Sequence, residues 1–390
     1  MQEIYRIRIT IYKDKAAVCK KALNGHIVTE NYYIHEEKKI MRKKGLLKKI
    51  TAAVTVAAML AAGTVLCQAN DTKVVRIQVS KDTVCGVAMQ VAAENGYFEE
   101  ELEAIGQKCE VTVAASSETV DLITAGKIDA AFGLACNFIT PISNGLAVSF
   151  VTGVHKGCTK FYAKADSGIS SLEDLKGKKI GVPSLSDSST LEVKRKLADL
   201  GFVVNGADAD VNFVAYAMSD LAMALDNGAV DAIGVHESMG TMIEANYDVT
   251  KLLDTGTDEK FKDEYCCMAL VTQDMIKNNP EGAAAFARAV QKGAAFASAN
   301  PEEAAKIQIE GGYVSGDVET NAGIIKGLDF NPGVTAARDT FKNAFTDLQA
   351  TGDLNKDLDE KEFEEKAFPV LDGVPETTTY NVETGKFAQE

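Results

Sequence analysis

Tryptophan is absent from the 390 residues, proline occurs only seven times and histidine four times. Basic side chains are also scarce through most of the chain. Residues 1–69 hold 13 Lys/Arg against 5 Asp/Glu, whereas the remainder holds 28 against 51. No basic stripe crosses that acidic body. This excludes nucleic acid as a partner, because phosphate backbones are held by clustered Lys and Arg. Three enzyme signatures are missing as well. There is no Gly-rich phosphate loop, no zinc-metalloprotease helix motif and no serine nucleophile elbow. DLNKDLDEKEFE (353–364) sets Asp353, Asn355, Asp357, Asp359 and Glu364 at calcium-loop spacing. Leu358 stands where that loop needs glycine, so the segment reads as an acidic loop.

What is present is a globular composition, 46% hydrophobic and 25% charged. It is long enough for two lobes of ordinary size. The positive charge at the start has its own explanation. MRKKGLLKK (41–49) is basic, ITAAVTVAAMLAAGTVL (50–66) is uncharged, and CQAND follows. This is the layout of an export signal, with Met41 as the start and residues 1–40 as an upstream extension. A membrane anchor is the competing reading, but the run is Ala-rich and a span needs about 20 strongly apolar residues. Cleavage is expected after Ala69. Cys67 is a lipidation candidate, although Leu66 stands where a small residue is wanted. Six further cysteines, 85, 109, 136, 158, 266 and 267, are not spaced as a disulfide framework. Several sit in apolar runs, where cysteine behaves as a small hydrophobe. Disulfides and free thiols both remain open readings.

From Lys73 strands and helices alternate, which predicts an α/β fold with helices on both faces of the sheets. Beyond Pro280 the chain reads helical. EVTVAASSETVDLITAGKIDAAFG (110–133) and NFVAYAMSDLAMALDNGAVDAIGV (212–235) match at an offset of 102 residues. Ser117 aligns with Ser219 as a candidate N-cap, and Gly126 with Gly228 as a helix-ending glycine. Asp129-Ala130 aligns with Asp231-Ala232 at the opening of a strand. One supersecondary unit therefore occurs twice, and two related lobes with a ligand cleft between them follow.

GISSLEDLKGKKIGVP (168–183) resembles the segment that opens the second lobe of bacterial solute-binding proteins. AENGYFEEE (93–101), AGKIDAAFG (125–133), NGAVDAIGV (227–235) and NPEEAAKI (300–307) resemble the NitT/TauT/SsuA-like group, over roughly residues 73–310. That group serves ABC importers of nitrate, sulfonates, taurine and thiamine-precursor pyrimidines. The resemblance implies a type II periplasmic-binding fold of two α/β lobes on two hinge strands, closing on a small molecule. It implies no catalysis, no cofactor, an ABC permease as partner, and an exported, periplasmic or cell-surface protein touching the membrane only through a lipid anchor. The expected layout is lobe 1 from 73–156, lobe 2 from 157–264, a return to lobe 1 with C-terminal helices over 265–352, and an acidic tail over 353–390. Two alternatives remain: a pyrimidine-precursor synthase-like enzyme using iron and a histidine (His155, Cys158 and His236 being available), and a ligand-sensing ectodomain.

Ligands in such sheets sit beyond the carboxyl ends of strands, where helix N-termini point. SLSDSST (184–190) is the most hydroxyl-rich of these loops, making Ser184, Ser186, Ser188 and Ser189 ligand candidates. Asn137 and Ser116 are candidates from the facing lobe. His236, beside Glu237 that would fix its tautomer, and His155 complete the set. The loops contain no arginine, which disfavours a small strong anion, whereas Asp82, Asp187, His236 and Glu237 suit a neutral or cationic group. VTGVHKGCTKFY (151–162) lies where lobe 1 hands over to lobe 2, and YCCM (265–268) where the chain returns. These would be the hinge strands, bringing Cys158 towards Cys266 or Cys267. Adjacent Cys266 and Cys267 are expected on opposite faces of their strand. Small residues in a tight hinge, a ligand-contacting His155 among thiols, and a metal or redox site are all compatible with this stretch. Two side chains do not complete a zinc site, and no metal is assigned.

Overall fold

The computed structural model describes residues 72–390; the export signal, Cys67 and the extension before Met41 lie outside them. Among the described residues no helix is long and apolar enough to cross a membrane. The chain builds two five-stranded sheets. The first uses β1 (Val74–Lys81), β2 (Lys108–Ala115), β3 (Ala130–Leu134) and β4 (Val148–Lys156). The second uses β5 (Thr159–Lys164), β6 (Lys179–Val182), β7 (Asn212–Ala215), β8 (Ala232–His236) and β9 (Val249–Asp254). The chain then returns to the first sheet with β10 (Tyr265–Thr272).

The strand orders are β2-β1-β3-β10-β4 and β7-β6-β8-β5-β9. Position by position they are the same sheet, with each fourth strand antiparallel to the third. The fourth strand is supplied by a chain segment that has just crossed between lobes: β5 for the second, β10 for the first. The crossings are therefore the short step Gly157–Cys158 and the segment 255–264. Gly157 has φ of 76°, and a Cβ there would lie 2.9 Å from the Cα of Gly256. Only glycine permits both the left-handed backbone and that approach.

The 102-residue repeat is exact in the coordinates. Helix α1 (Thr119–Thr124) corresponds to α4 (Leu221–Asp226), and β3 to β8. Gly126 and Gly228 end these helices with φ of 63° and 69°. Asp129 accepts the backbone N–H of Arg76 at 2.9 Å, and Asp231 that of Lys179 at 2.8 Å. Each aspartate thus ties the entry of the third strand to its parallel neighbour, which is why the Asp-Ala pair recurs. The expected serine caps do not form. Glu118 instead reaches back to the Ala115 amide, and Ser219 donates to Asp220.

Between these helices lie α2 (Cys136–Ser143), which follows β3, and α3 (Ser188–Asp199), which follows β6. After β8 comes α5 (Met239–Asn246), and after β10 the Ala-rich α6 (Pro280–Ala299). Its small side chains let it lie buried along most of its length. Then come α7 (Val318–Gly327), α8 (Thr335–Thr351) and α9 (Glu360–Ala367). The acidic segment 353–390 is no loose tail. Phe363 and Phe368 enter the core beside Phe150, Phe341 and Phe345. A hairpin at Thr378–Asn381 and Lys386–Gln389 packs on α6, where Thr378 donates to Gln291 at 2.8 Å. The carboxylates at 353–364 are used internally: Asp359 caps α9 and Asp353 pairs with Lys194.

Candidate functional site

The carboxyl ends of β1, β3, β6 and β8 meet in a closed seam between the lobes. Asn137, on the first turn of α2, accepts the backbone N–H of Ser188, the first residue of α3, at 2.5 Å. Asp187 caps α3 by accepting from the amide and hydroxyl of Ser189, at 2.9 and 2.7 Å. The same carboxylate oxygen holds His236 Nε2 at 2.7 Å, and Thr159 meets His236 Nδ1 at 3.0 Å. Burial pushes the Asp187 carboxyl up, but His236 outweighs it and brings it to about 2. Burial likewise pushes His236 down, and Asp187 lifts it well above its ordinary value. This is a buried ion pair linking β8 to the start of α3. Glu237 does not orient His236; it pairs with Lys160 on β5.

Glu192 lies one turn along α3 from Ser188 and faces the same seam. It is buried, one carboxylate oxygen has no partner, and burial raises it to about 7. The Ser188 hydroxyl is buried without a partner too. Arg195, on the same face of α3, is fully used by Glu264 and Asp347, each at 2.8 Å. Lys194 pairs with Asp353 at 2.7 Å. Through these contacts α3 of the second lobe is bound to α8 and the 353 loop of the first. Two spaces flank the closed centre. One, of about 200 Å³, is lined by Gly157, Lys160, Glu237, Thr241, Asp254 and Gly256 together with α7. The other, of about 10 Å³ between Cys136, Glu192, Arg195 and Tyr265, has room for about one water.

At the crossing, four thiols and an imidazole converge. Cys85 Sγ lies 3.2 Å from Cys158 Sγ and 3.5 Å from the carbonyl of Glu237. Cys266 Sγ lies 3.5 Å from His155 Nδ1. His155 is fully buried, packs tilted against Phe330 with ring centroids 4.7 Å apart, and leaves Nε2 without a partner. The donor atoms of His155, Cys266 and Cys267 all lie within 4.8 Å of one another. The two adjacent cysteines thus do not point to opposite sides. The pairing of β10 with β4 slips on both sides of Cys267, and such a bulge re-aims side chains. Cys158 is in contact with Cys85, 73 residues earlier in the chain, and not only with β10. All six described cysteines are free thiols.

A model of the family described as "NMT1/THI5 like" matches residues 87–304, which is more than half of the chain. The chain belongs to the NMT1/THI5-like family. A relative from Brucella abortus (strain 2308), named as a binding protein, is 27% identical over 207 residues, covering 51% of this chain and 63% of that relative. The match therefore spans less than two thirds of the relative's length. Among solved structures, the periplasmic aliphatic sulphonate-binding protein SsuA of Escherichia coli superposes with a TM-score of 0.61. It is 15% identical, and the match covers 74% of this chain and 91% of SsuA. The periplasmic nitrate-binding protein NrtA of Synechocystis PCC 6803 gives 0.62 at 14% identity, with 82% and 96% covered. The two-lobed periplasmic binding-protein fold is shared by this member of the NMT1/THI5-like family.

The sequence-derived candidates divide within that fold. Ser188, Ser189, His155 and His236 are buried and Asn137 half-buried in or beside the seam, with Ser189 occupied as the partner of the Asp187 cap. Ser184 is half-buried and Ser186 exposed at the rim, their hydroxyls 3.5 Å apart. Ser116 is exposed beyond β2, the edge strand, and is not brought to the seam. Cys158, Cys266 and Cys267 meet at the crossing, as described. Glu192 and Cys85 were missed. Glu192 had a signal, since Ser188, Glu192 and Arg195 repeat at the spacing of one helix face.

Proposed function

We propose that this chain is the extracytoplasmic solute-binding component of an ABC importer, capturing a small molecule between its lobes and presenting it to the permease. The observation that carries the reading is the seam: two equivalent sheets aim their carboxyl ends at each other, and Asn137 and Ser188 join across them. Family membership and the fold shared with SsuA and NrtA support it. Export follows from the same reading, with the charge-free run at 50–66 as the signal and Cys67 as the point for a lipid anchor. The chain acts by binding and not by catalysis.

The ligand is neutral or cationic and not a sulfonate or nitrate. Each cationic side chain at the seam already has its acid: His236 with Asp187, Lys160 with Glu237, and Arg195 with Glu264 and Asp347. A buried anion would have no free partner, whereas the unpartnered Glu192 oxygen and Ser188 hydroxyl offer acceptors to a donor-bearing ring. The test is native mass spectrometry of full-length protein from its host, followed by calorimetry with the recovered compound, taurine and nitrate. One unmodified small molecule per chain is expected. Micromolar binding of taurine or nitrate would refute the ligand class, and conversion of the compound would refute the binding role.

A further inference from the structure

Cysteine buried as a plain hydrophobe does not need other sulfurs beside it. Here the thiols come from separate segments and still converge: Cys85 from the turn after β1, Cys158 from the first crossing, and Cys266 and Cys267 from β10. They are not disulfides, since the Cys85–Cys158 separation of 3.2 Å far exceeds the ~2.05 Å of an S–S bond. Tetrahedral ligation at about 2.3 Å places neighbouring sulfurs about 3.8 Å apart. The 3.5 Å contact between Cys266 and His155 is already close to that spacing, and Cys158 lies 3.2 Å from Cys85 beside them. The donor atoms of His155, Cys266 and Cys267, within 4.8 Å of one another, need about 1 Å of contraction. The bulge at β10 turns both adjacent sulfurs into this one space, and His155 has a buried nitrogen with no partner.

We propose that His155, Cys266 and Cys267, with Cys158 as the fourth ligand and Cys85 behind it, bind one thiophilic d10 metal ion, zinc(II) or copper(I), at the lobe crossing. Sulfur and imidazole donors select such ions over magnesium or calcium, which take oxygen. Each ligating thiol releases its proton to solvent; zinc(II) offsets two of the three thiolate charges and copper(I) one, with no change of oxidation state. The ligands come from lobe 1 strands and the crossing itself, so the ion would fasten the hinge. The site rests on the thiol geometry and stands or falls independently of the importer reading.

The experiment uses full-length protein, reduced, stripped of metal with a chelator and kept anaerobic. It is titrated separately with zinc(II), with copper(I), and with cadmium(II) as a spectroscopic probe, each against a competing chelator. The expected result is one ion per chain, a sulfur-to-cadmium charge-transfer band, and protection of at least three cysteines from alkylation. Cys266→Ser/Cys267→Ser should abolish the band, and His155→Ala should weaken binding at least tenfold. Cys109→Ser, on β2, should change nothing. Circular dichroism confirms that the variants fold, and a rise in Tm of the parent protein with the ion gives a second readout. Tight zinc binding with weak copper(I) binding would assign the zinc arm, and the reverse the copper arm. Binding below one ion per chain, or equal loss in Cys109→Ser, would overturn the proposal.

Discussion

Asn137 of the first lobe and the backbone amide of Ser188 of the second are joined at 2.5 Å, a direct hydrogen bond across the seam. The bond also serves a helix end. The first amides of α3 have no partner within the helix, and one of them is satisfied by the opposite lobe. Closure and capping are therefore the same event.

Replacing Asn137 with Ala leaves that buried amide unpaired. The cost is about 1–3 kcal/mol in the closed form, with no equivalent penalty when the seam opens to water. Small-angle scattering should show an expanded population, and ligand affinity should fall about tenfold.

Glu192 carries a pH signature. Its folded-state value is about 7 against 4.5 for the free carboxyl. The folded protein then binds a proton more tightly than the unfolded chain, so stability falls as pH rises from about 4.5 to about 7. Glu192→Gln should stabilise the protein by up to about 3 kcal/mol at pH 8 and by little at pH 4. Urea unfolding at the two pH values reads the difference.

The Asp187–His236 pair works over a window. The contribution from Asp187 is complete above about pH 4 and is lost as pH falls towards 2. That from His236 is complete below about pH 6.5 and is lost only as pH rises through its elevated value. His236→Ala and Asp187→Ala should each cost about 3–5 kcal/mol at pH 7, because each strands a buried partner. The double variant should cost clearly less than the sum, as a double-mutant cycle would show.

Arg195→Met tests the bridge from α3 to α8. It strands Glu264, so it should destabilise the protein by several kcal/mol in denaturant unfolding. Arg195→Met combined with Glu264→Leu should recover most of the loss.

The lobes were legible because their signals are local. Strand and helix periods, and Gly126 with Gly228 as helix ends, act within a few residues of their own positions, and Asp129 and Asp231 mark the strand openings beside them. The exchange of fourth strands was not legible, since β10 pairs with β3 and β4 more than 100 residues away and no short-range signal encodes that pairing. The site divides in the same way. SLSDSST announced a helix entry, and Ser188 and Ser189 do open α3. Ser184 and Ser186 share its composition but precede the turn that enters the seam. The Cys85–Cys158 contact depends on how two distant loops dock. The shared orientation of Cys266 and Cys267 depends on a bulge that alternation alone cannot foresee.

The exchanged strands also impose an order of assembly. Every strand of the second sheet lies within residues 159–254, one continuous stretch, so that lobe can complete itself while the chain is still being made. The first sheet holds four strands in hand and must wait for β10, and its core waits longer still for Phe341, Phe345, Phe363 and Phe368. The lobe that begins the chain is thus the last to be finished. Until β10 arrives, β3 and β4 expose the edges that it will fill, and that interval is when the nascent protein is most open to aggregation.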